Sequence, residues 1–279
     1  MEKNALENRD YIYDSAKRGS LAWEELRGIF QYRDLVYQLV RRDIVARYKR
    51  SVLGIIWTML NPLGMMIVLT VVFSGLFQTV KGYPAYLLSG IIGWTFFAQT
   101  TTSAMQQIIW GGSLFHHIYL PRTSFAVAAT GTGLINLILS CIPLIGIVLV
   151  IGVHLKVTLL FLPMAMVLLA MFSLGVGLIL STLAIYFPDV AEMYQVILIA
   201  WMYLTPIIYP PEVIPQAYRY WLFHLNPMYY FIQIFRQPIY DGIFPSWPLL
   251  VVGSIVSIAT LIAGWIIFSF KADEFTYRI

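Results

Sequence analysis

Six long apolar runs without a single charged residue set the strongest constraint on how this chain folds. They cover residues 52–77, 85–110, 124–153, 157–187, 193–209 and 247–270. As an α-helix, the first run would reach about 39 Å, enough to cross the hydrocarbon layer of a membrane with some tilt. With 59% hydrophobic and 11% charged residues, the chain falls outside the range of water-soluble folds. The pattern predicts an all-α integral membrane protein with six transmembrane helices.

The basic residues are unevenly distributed between the two sides of this predicted bundle. Eleven of the 18 Lys and Arg residues precede residue 52. Six spans place both termini on one side, and that side also carries Arg122, Lys271 and Arg278. Cytoplasmic segments beside a membrane are rich in Lys and Arg, so the imbalance predicts cytoplasmic termini. The first apolar run begins too late for a cleaved secretory signal, and we expect it to stay in the mature protein.

The segment before the first span, residues 1–51, is predicted to be distinct from a six-helix domain at residues 52–279. Its apolar residues recur at three- and four-residue steps, which is typical of an amphipathic helix, and we expect a break near Asp34. These residues are Trp23, Leu26, Phe30, Val36, Val40 and Ile44. Such a helix either anchors the chain on the membrane surface or serves as a docking surface for a partner.

The link between the last two spans, residues 206–246, is too apolar for a solvated loop. It contains seven prolines together with many aromatic residues, among them Trp221 and Tyr229. Proline-interrupted helices are tolerated at membrane depth where they pack on protein or line a cavity. The link is therefore interpreted either as a re-entrant pair of short helices before the last span or as an aromatic belt at the membrane interface.

Several classes of function lack the residues that they require. The absence of charge from the six runs argues against an ion-coupled carrier and against a membrane enzyme. Asp189 and Glu192 are close in sequence, but acidic residues also stabilise the N-terminus of a helix. Adjacent His116 and His117 point in different directions on a helix, and Cys141 is the sole cysteine, so we expect no metal site and no catalytic residues. The chain has no G-x-x-x-x-G-K-[ST] phosphate loop, so if transport here is active, a second polypeptide supplies the energy.

Aromatic residues in or beside the predicted spans are candidates for lining a transport path. Aromatic faces stack on the C–H faces of sugar rings, although packing in the core or at the membrane interface is the alternative for each residue. The candidates are Trp57, Phe73, Phe77, Tyr194, Trp201 and Tyr203.

Three stretches of the sequence strongly resemble the motifs of one transporter family. They are Arg42–Trp57 followed by Leu60–Leu63, then Phe115–Arg122, and finally Asn226–Met228 before the last span. Together they are similar to ABC-2 type permeases that export polysaccharides, a family that includes O-antigen, capsule and teichoic-acid exporters. The chain departs from the family pattern in an N-terminal extension and in the paired histidines.

The resemblance implies a homodimer in the bacterial inner membrane, joined to two copies of a separate ATPase and moving a lipid-linked polysaccharide. It implies no nucleic-acid partner, and it assigns re-entrant helices to the outer mouth and aromatic residues of spans one and five to the channel wall. The implied interface helix includes Trp23, Leu26, Phe30, Val36, Val40, Arg42 and Arg47. The implied coupling segment, which contacts the ATPase, is Ser113, Leu114, Phe115, His116, His117, Ile118, Tyr119, Leu120, Pro121 and Arg122.

Two other functions remain open from the sequence. One is an ABC-2 permease that exports a drug or a lipid instead of a glycan. The other is a sodium-coupled carrier that acts alone, because sodium can be bound by carbonyl and hydroxyl oxygens without a carboxylate. Dependence on an ATPase separates both ABC readings from the carrier.

Overall fold

The computed structural model describes residues 21–49, 51, 53–78, 80–110, 121–152 and 156–277. All regular structure in these ranges is helical, which confirms the all-α prediction. The ten α-helices are α1 (Leu21–Gln31), α2 (Arg33–Tyr48), α3 (Ile56–Phe73), α4 (Tyr83–Trp110), α5 (Thr123–Val150), α6 (Leu162–Tyr186), α7 (Val190–Leu204), α8 (Gln216–His224), α9 (Pro227–Arg236) and α10 (Trp247–Lys271). Short helical turns lie at Val157–Phe161, Pro211–Val213, Gln237–Asp241 and Ala272–Tyr277.

Four helical segments are long and apolar enough to cross a membrane by length and composition. They are Ile56–Phe73, Thr123–Val150, Val157–Tyr186 and Trp247–Lys271. The two other predicted spans coincide with α4, which has 28 residues but several polar ones, and with α7, which is apolar but only 15 residues long. The chain is therefore a membrane protein, and a count of six spans stays a prediction.

Helix α4 lies at the centre of the bundle and packs against α3, α5, α6 and α9. The N-terminal turns of α4 are apolar on nearly every side, as expected of a helix surrounded by other helices. Leu87, Leu88 and Phe97 are completely buried there, and they join one large core cluster with side chains from the neighbouring helices. The central position of α4 limits where its polar residues can lie, because other helices occupy most of its sides.

Helices α6 and α10 form the most extensive helix pair, and their backbones touch. A Cβ atom added at Gly175 would lie 2.5 Å from the carbonyl oxygen of Thr260, and one added at Gly264 would overlap the carbonyl oxygen of Gly175. Small residues let membrane helices approach closely enough for van der Waals contact between backbones. The pair depends on glycine at both positions.

The connecting segments gather at the two ends of the bundle. The α8 end, defined as residues 74–78, 80–82, 156–161 and 205–246, is joined by hydrogen bonds from Tyr240 Oη to the Lys81 carbonyl and from Thr158 Oγ1 to the Pro238 carbonyl. The opposite end, called the α1 end, holds α1, α2, residues 121–123 and the turn at Ala272–Tyr277. Helix α2 and the turn at Ala272–Tyr277 share a second core cluster with the neighbouring helices of the bundle, and this cluster includes Phe275.

The predicted amphipathic segment consists of two helices that separate at Tyr32, close to the predicted break at Asp34. Helix α2 packs on α5, and its most buried side chain is Leu39, which the sequence interpretation did not include. In contrast, Trp23 and Phe30 on α1 are 65% and 72% exposed. The apolar face of α1 is therefore only partly covered within one protomer.

Candidate functional site

A line of polar side chains runs along one face of α4. Thr95, Gln99, Ser103 and Gln107 are spaced four residues apart, so they project from the same side of the helix. Helix α5 carries a matching line at the same spacing, formed by its own Thr, Asn and Ser residues. Those residues are Thr132, Asn136 and Ser140. Polar side chains inside an apolar bundle need hydrogen-bond partners. We therefore expect the two lines of polar residues to face the same polar space.

The two lines of polar residues enclose a cavity of about 400 Å³ between α2, α3, α4 and α5. Helix α3 closes it with Trp57 and Asn61, while Ser140 Oγ bridges the helices by donating a hydrogen bond of 3.4 Å to the Thr58 carbonyl. Trp57 lines a cavity in which about half of the other lining residues carry a hydroxyl or an amide group, while Ile92, Phe96 and Leu137 are among the apolar ones. Such a lining suits a ligand with many hydroxyl groups.

Part of the hydrogen-bonding capacity of this cavity is unused. The Oγ1 atoms of Thr100 and Thr132 are buried on its walls, and neither has a hydrogen-bond partner in the described part of the chain. Buried polar atoms in native proteins nearly always have a partner, which is often water or a ligand. These two buried hydroxyls on the cavity wall thus have hydrogen-bonding capacity that the described residues do not use.

The charged groups of the cavity lie at its α1 end. Asp43 and Arg47 reach it from successive turns of α2. Asp43 accepts a hydrogen bond of 2.5 Å from Gln107 Nε2 and one of 2.9 Å from Arg42 Nη2. The carboxylate thus ties α2 to the C-terminal end of α4. No three His, Cys, Asp or Glu side chains come together as metal ligands in the ranges that the structure describes.

The six aromatic candidates for a channel wall do not share one surface of the protomer. Trp57 lines the polar cavity, and Tyr203 is exposed on α7. Phe73 and Phe77 stack on each other with ring centres 6.2 Å apart at the α8 end. Tyr194 and Trp201 pack inward, as described next. The assignment of these residues to a channel wall stays a prediction.

Tyr194 and Trp201 project from α7 into the interior of the protomer. Tyr194 is 3% exposed, and its hydroxyl lies 2.7 Å from Thr101 Oγ1. Trp201 donates a hydrogen bond of 2.7 Å to Asn226 Oδ1 and meets the Phe97 ring edge-on. In this conformation both side chains attach α7 to its neighbours.

The predicted coupling segment lies mostly outside the described residues, which include only its last two members. Pro121 packs against Gly28 of α1, where an added Cβ would lie 2.9 Å from Pro121 Cγ. The Arg122 guanidinium is 5.7 Å from the centre of the Phe275 ring. Thr123 Oγ1, which follows directly, donates a hydrogen bond of 2.6 Å to Glu25 Oε2. The chain that leaves the coupling segment is thus held by α1 and by the C-terminal turn.

The predicted interface helix corresponds to α1 and α2. Val36 and Val40 pack against the second core cluster, together with Leu39. Arg42 and Arg47 are exposed, and Leu26 is half-buried. The apolar side of α2 therefore binds the bundle, whereas its arginines remain available at the surface.

A buried cation at the α8 end was not recognised in the sequence. Arg236 is 1% exposed, and its guanidinium donates hydrogen bonds to the carbonyl of Pro206 at 3.0 Å and to Ser89 Oγ at 3.3 Å. Gly90 leaves the room that this side chain needs, because an added Cβ would lie 2.5 Å from Arg236 Nη2. The sequence indicates only part of this arrangement. Arg236 ends a strongly amphipathic helix, but the spacing of residues does not show that its guanidinium binds backbone carbonyls.

These features belong to a polytopic membrane protein with a polar cavity inside its helical bundle. The family model for ABC-2 type transporters matches residues 34–240, and the chain belongs to that family. It is 26% identical to the O-antigen export system permease protein RfbA of Myxococcus xanthus over 91% of this chain and 98% of that protein. It is also 24% identical to the polysialic acid transport protein KpsM of Escherichia coli, over 82% of this chain and 90% of that protein.

A further relative is the capsule polysaccharide export inner-membrane protein CtrC of Neisseria meningitidis serogroup A. The two chains are 20% identical over 76% of this chain and 81% of CtrC. The match to the family confirms the resemblance seen in the sequence motifs. The names of these three relatives all refer to the export or transport of a polysaccharide.

Proposed function

We propose that this chain is the membrane-spanning subunit of an ABC exporter that moves a lipid-linked polysaccharide across the bacterial inner membrane. The observation that carries the proposal is the polar cavity between α2, α3, α4 and α5, found in a member of the ABC-2 family. Its unpaired Thr100 and Thr132 hydroxyls can exchange hydrogen bonds with the hydroxyl groups of a sugar. Apart from Asp43 and Arg47 at its α1 end, the cavity is lined by uncharged residues, so we expect it to release such a polymer rather than hold it tightly.

The proposed architecture has six membrane spans, with α4 and α7 added to the four apolar helices. Helix α7 extends only about 22 Å, less than the hydrocarbon thickness of about 30 Å. We interpret α8 and α9 as re-entrant helices that complete the outer side where α7 ends. The excess of Lys and Arg at the α1 end supports cytoplasmic N- and C-termini.

The proposed complex contains two copies of this chain and two copies of a separate ATPase. Helix α3 supports the dimer, because most of its apolar surface is left uncovered by its own protomer. ATP and Mg²⁺ belong to the partner chain, which contacts residues 113–122 and the exposed surface of α1 and α2. Closure of the ATPase on ATP would shift the channel between closed and open states by its differential affinity for the two.

The first test is to tag this chain, extract it gently from its native membrane, and identify the proteins that remain bound at constant stoichiometry by mass spectrometry. We expect an ATPase with a phosphate loop at a one-to-one ratio. A preparation that lacks any ATPase and still transports solute into sodium-loaded vesicles would instead establish a carrier that acts alone.

A deletion strain separates glycan export from export of a drug or lipid. Loss of the chain should remove a surface polysaccharide and leave its lipid-linked precursor on the cytoplasmic face of the membrane. In the same strain, charge reversal at Arg122 combined with proline at Ile118 should fail to restore export while the protein still inserts. Unchanged surface glycan in the deletion strain would contradict the proposal.

A further inference from the structure

A second polar concavity lies at the α8 end, far from the cavity beside α2. It is an open crevice of about 680 Å³ between the turn at Pro211–Val213, α8, α9 and the start of α10. Its walls combine amide, charged and aromatic side chains. Those used below are Glu212, Gln216, Arg219, Tyr220, Gln233 and Gln237.

Three glutamine side chains converge on this crevice from different elements. Gln216 begins α8, Gln233 lies on α9, and Gln237 begins the helical turn that follows α9. The Oε1 atom of Gln237 is buried and has no hydrogen-bond partner within the described residues. Each amide offers one acceptor and two donors, which matches the mixed donor and acceptor character of adjacent sugar hydroxyls.

The two charged residues of the crevice have opposite signs, so the site carries no net charge. Arg219 Nη2 donates hydrogen bonds of 3.0 Å to the carbonyls of Glu212 and Ile214, which fixes the guanidinium against the preceding turn. Its Nε atom is buried and has no partner among the residues described. A fixed donor with an unused N–H can bind a neutral hydroxyl oxygen.

An aromatic face completes the site. Tyr220 is 62% exposed, and one face of its ring stacks on His224 with the ring centres 4.5 Å apart. The His224 ring holds it in place, Trp221 meets it edge-on with the ring centres 5.8 Å apart, and most of the Tyr220 side chain stays exposed. Tyr229, which also lines the crevice, stacks on Phe223 with the ring centres 4.8 Å apart.

We propose that this crevice binds a neutral pyranose unit of the exported glycan on the outer side of the membrane. Tyr220 stacks on the C–H face of the ring, while Gln233, Gln237 and Arg219 hold its hydroxyls. The identity of the ligand rests on the proposed function. The site lies at the end of the bundle opposite α1 and α2, so it would act on sugar units that have already crossed.

An aromatic belt in contact with lipid does not account for these residues as well. Belt residues place an apolar ring toward acyl chains and a polar tip toward water. Here three glutamine amides, one acidic residue and one basic residue line a concave surface. Buried polar atoms of Arg219 and Gln237 have no hydrogen-bond partner among the described residues. Contact with acyl chains would leave those atoms without partners.

Helix α8 itself supplies a matched control. Tyr218 is 63% exposed, nearly the same as Tyr220, but it does not line the crevice. The purified protein in lipid nanodiscs, with every subunit that copurifies, is studied by saturation-transfer-difference NMR with a panel of methyl glycosides. The panel contains methyl α-mannoside, methyl α-rhamnoside, methyl β-glucoside and methyl β-galactoside.

We expect transfer to at least one glycoside and about three- to tenfold weaker binding in Tyr220→Ala. Tyr220→Phe, which keeps the ring, should retain binding, and Gln233→Ala should weaken it. Tyr218→Ala should bind as the wild type does. Equal transfer in Tyr220→Ala and Tyr218→Ala, or no transfer to any glycoside, would overturn the inference.

Export measured in the same variants separates this inference from the function on which it rests. If the wild-type chain restores surface glycan and Tyr220→Ala binds glycosides normally, the crevice assignment fails while the exporter stands. If the wild-type chain restores no glycan, the exporter proposal fails, and the NMR titration still reports whether the crevice binds sugars. The two outcomes cannot be confused.

Discussion

The guanidinium carbon of Arg236 lies 3.7 Å from the centre of the Tyr86 ring. The hydroxyl of the same tyrosine donates to the carbonyl of Tyr209 at 2.9 Å, while Arg236 donates to the carbonyl of Pro206. One cation and one phenol thus fasten the turn after α7 to α4. A buried cation requires such partners, because without them the cost of removing it from water is several kcal/mol.

Replacement of Arg236 by lysine should destabilise the protein by about 2–3 kcal/mol. Lysine keeps the charge but cannot place donors on Pro206 and Ser89 at once. The matched control is Arg219→Lys, which changes a half-buried arginine in the same region and should cost less than about 1 kcal/mol. Denaturation of both variants in detergent, followed by near-UV circular dichroism, measures the difference. Equal losses would contradict the role assigned to Arg236.

Alanine at Gly175 or Gly264 should separate α6 from α10. The added methyl group meets backbone atoms, which cannot move aside as a flexible side chain can. Gly146→Ala in α5 is the control, because nothing lies within 4 Å of its added Cβ, and there alanine should stabilise the helix by about 0.5–1 kcal/mol. The temperature of thermal unfolding should fall in Gly175→Ala and Gly264→Ala, and it should not fall in Gly146→Ala. A loss in Gly146→Ala as large as in Gly264→Ala would argue against a specific backbone contact.

Thr132→Val and Thr130→Val should have opposite effects on stability and export. The Thr132 hydroxyl has no described hydrogen-bond partner to lose, so valine should change the unfolding free energy little and lower the export rate about two- to tenfold. Thr130 donates instead to the carbonyl of Ala126 in its own helix and does not line the cavity. Valine there should reduce stability slightly and leave export unchanged. Normal export by Thr132→Val would contradict a role for its hydroxyl in transport.

The link between Asp43 and Gln107 should appear as a coupling energy in a double-mutant cycle. Alanine substitutions at both positions should be non-additive by about 0.5–2 kcal/mol, because the hydrogen bond joins α2 to α4 in a partly buried site. The same carboxylate also contacts Arg42, whose side chain is 55% exposed. A cycle of Arg42 with Asp43 should give a coupling near zero. Additivity of Asp43 with Gln107 would show that the hydrogen bond contributes nothing measurable.

The lengths of the apolar runs without charged residues were sufficient to predict where most of the membrane helices lie. The predicted run at 124–153 corresponds to Thr123–Val150, and the run at 247–270 corresponds to Trp247–Lys271. Asp189 and Glu192 do stand at the N-terminus of a helix, α7, as the pattern indicated. These features are local, because they depend on the residues of one segment and on the membrane around it.

Features that depend on two distant segments escaped the sequence interpretation. The line of polar residues on α4 is visible as a four-residue spacing, yet its meaning depends on α5 facing it. Arg236 received no role in the sequence analysis, because its hydrogen-bond partners lie 30 and 147 positions away in the chain. Leu39 was passed over in favour of Val36 and Val40, because α2 turns its face toward α5 at an angle that periodicity does not determine.

The glycine contact between α6 and α10 also governs the order in which the protein can be completed during synthesis. Gly175 leaves the ribosome long before Gly264, and at about 5–20 residues per second the interval lasts roughly 4–18 seconds. During that time the small-residue face of α6 is in contact with lipid or with insertion machinery. The bundle therefore closes only when the last helix arrives, and a nascent chain that stops before α10 would leave that face open to capture by membrane quality control.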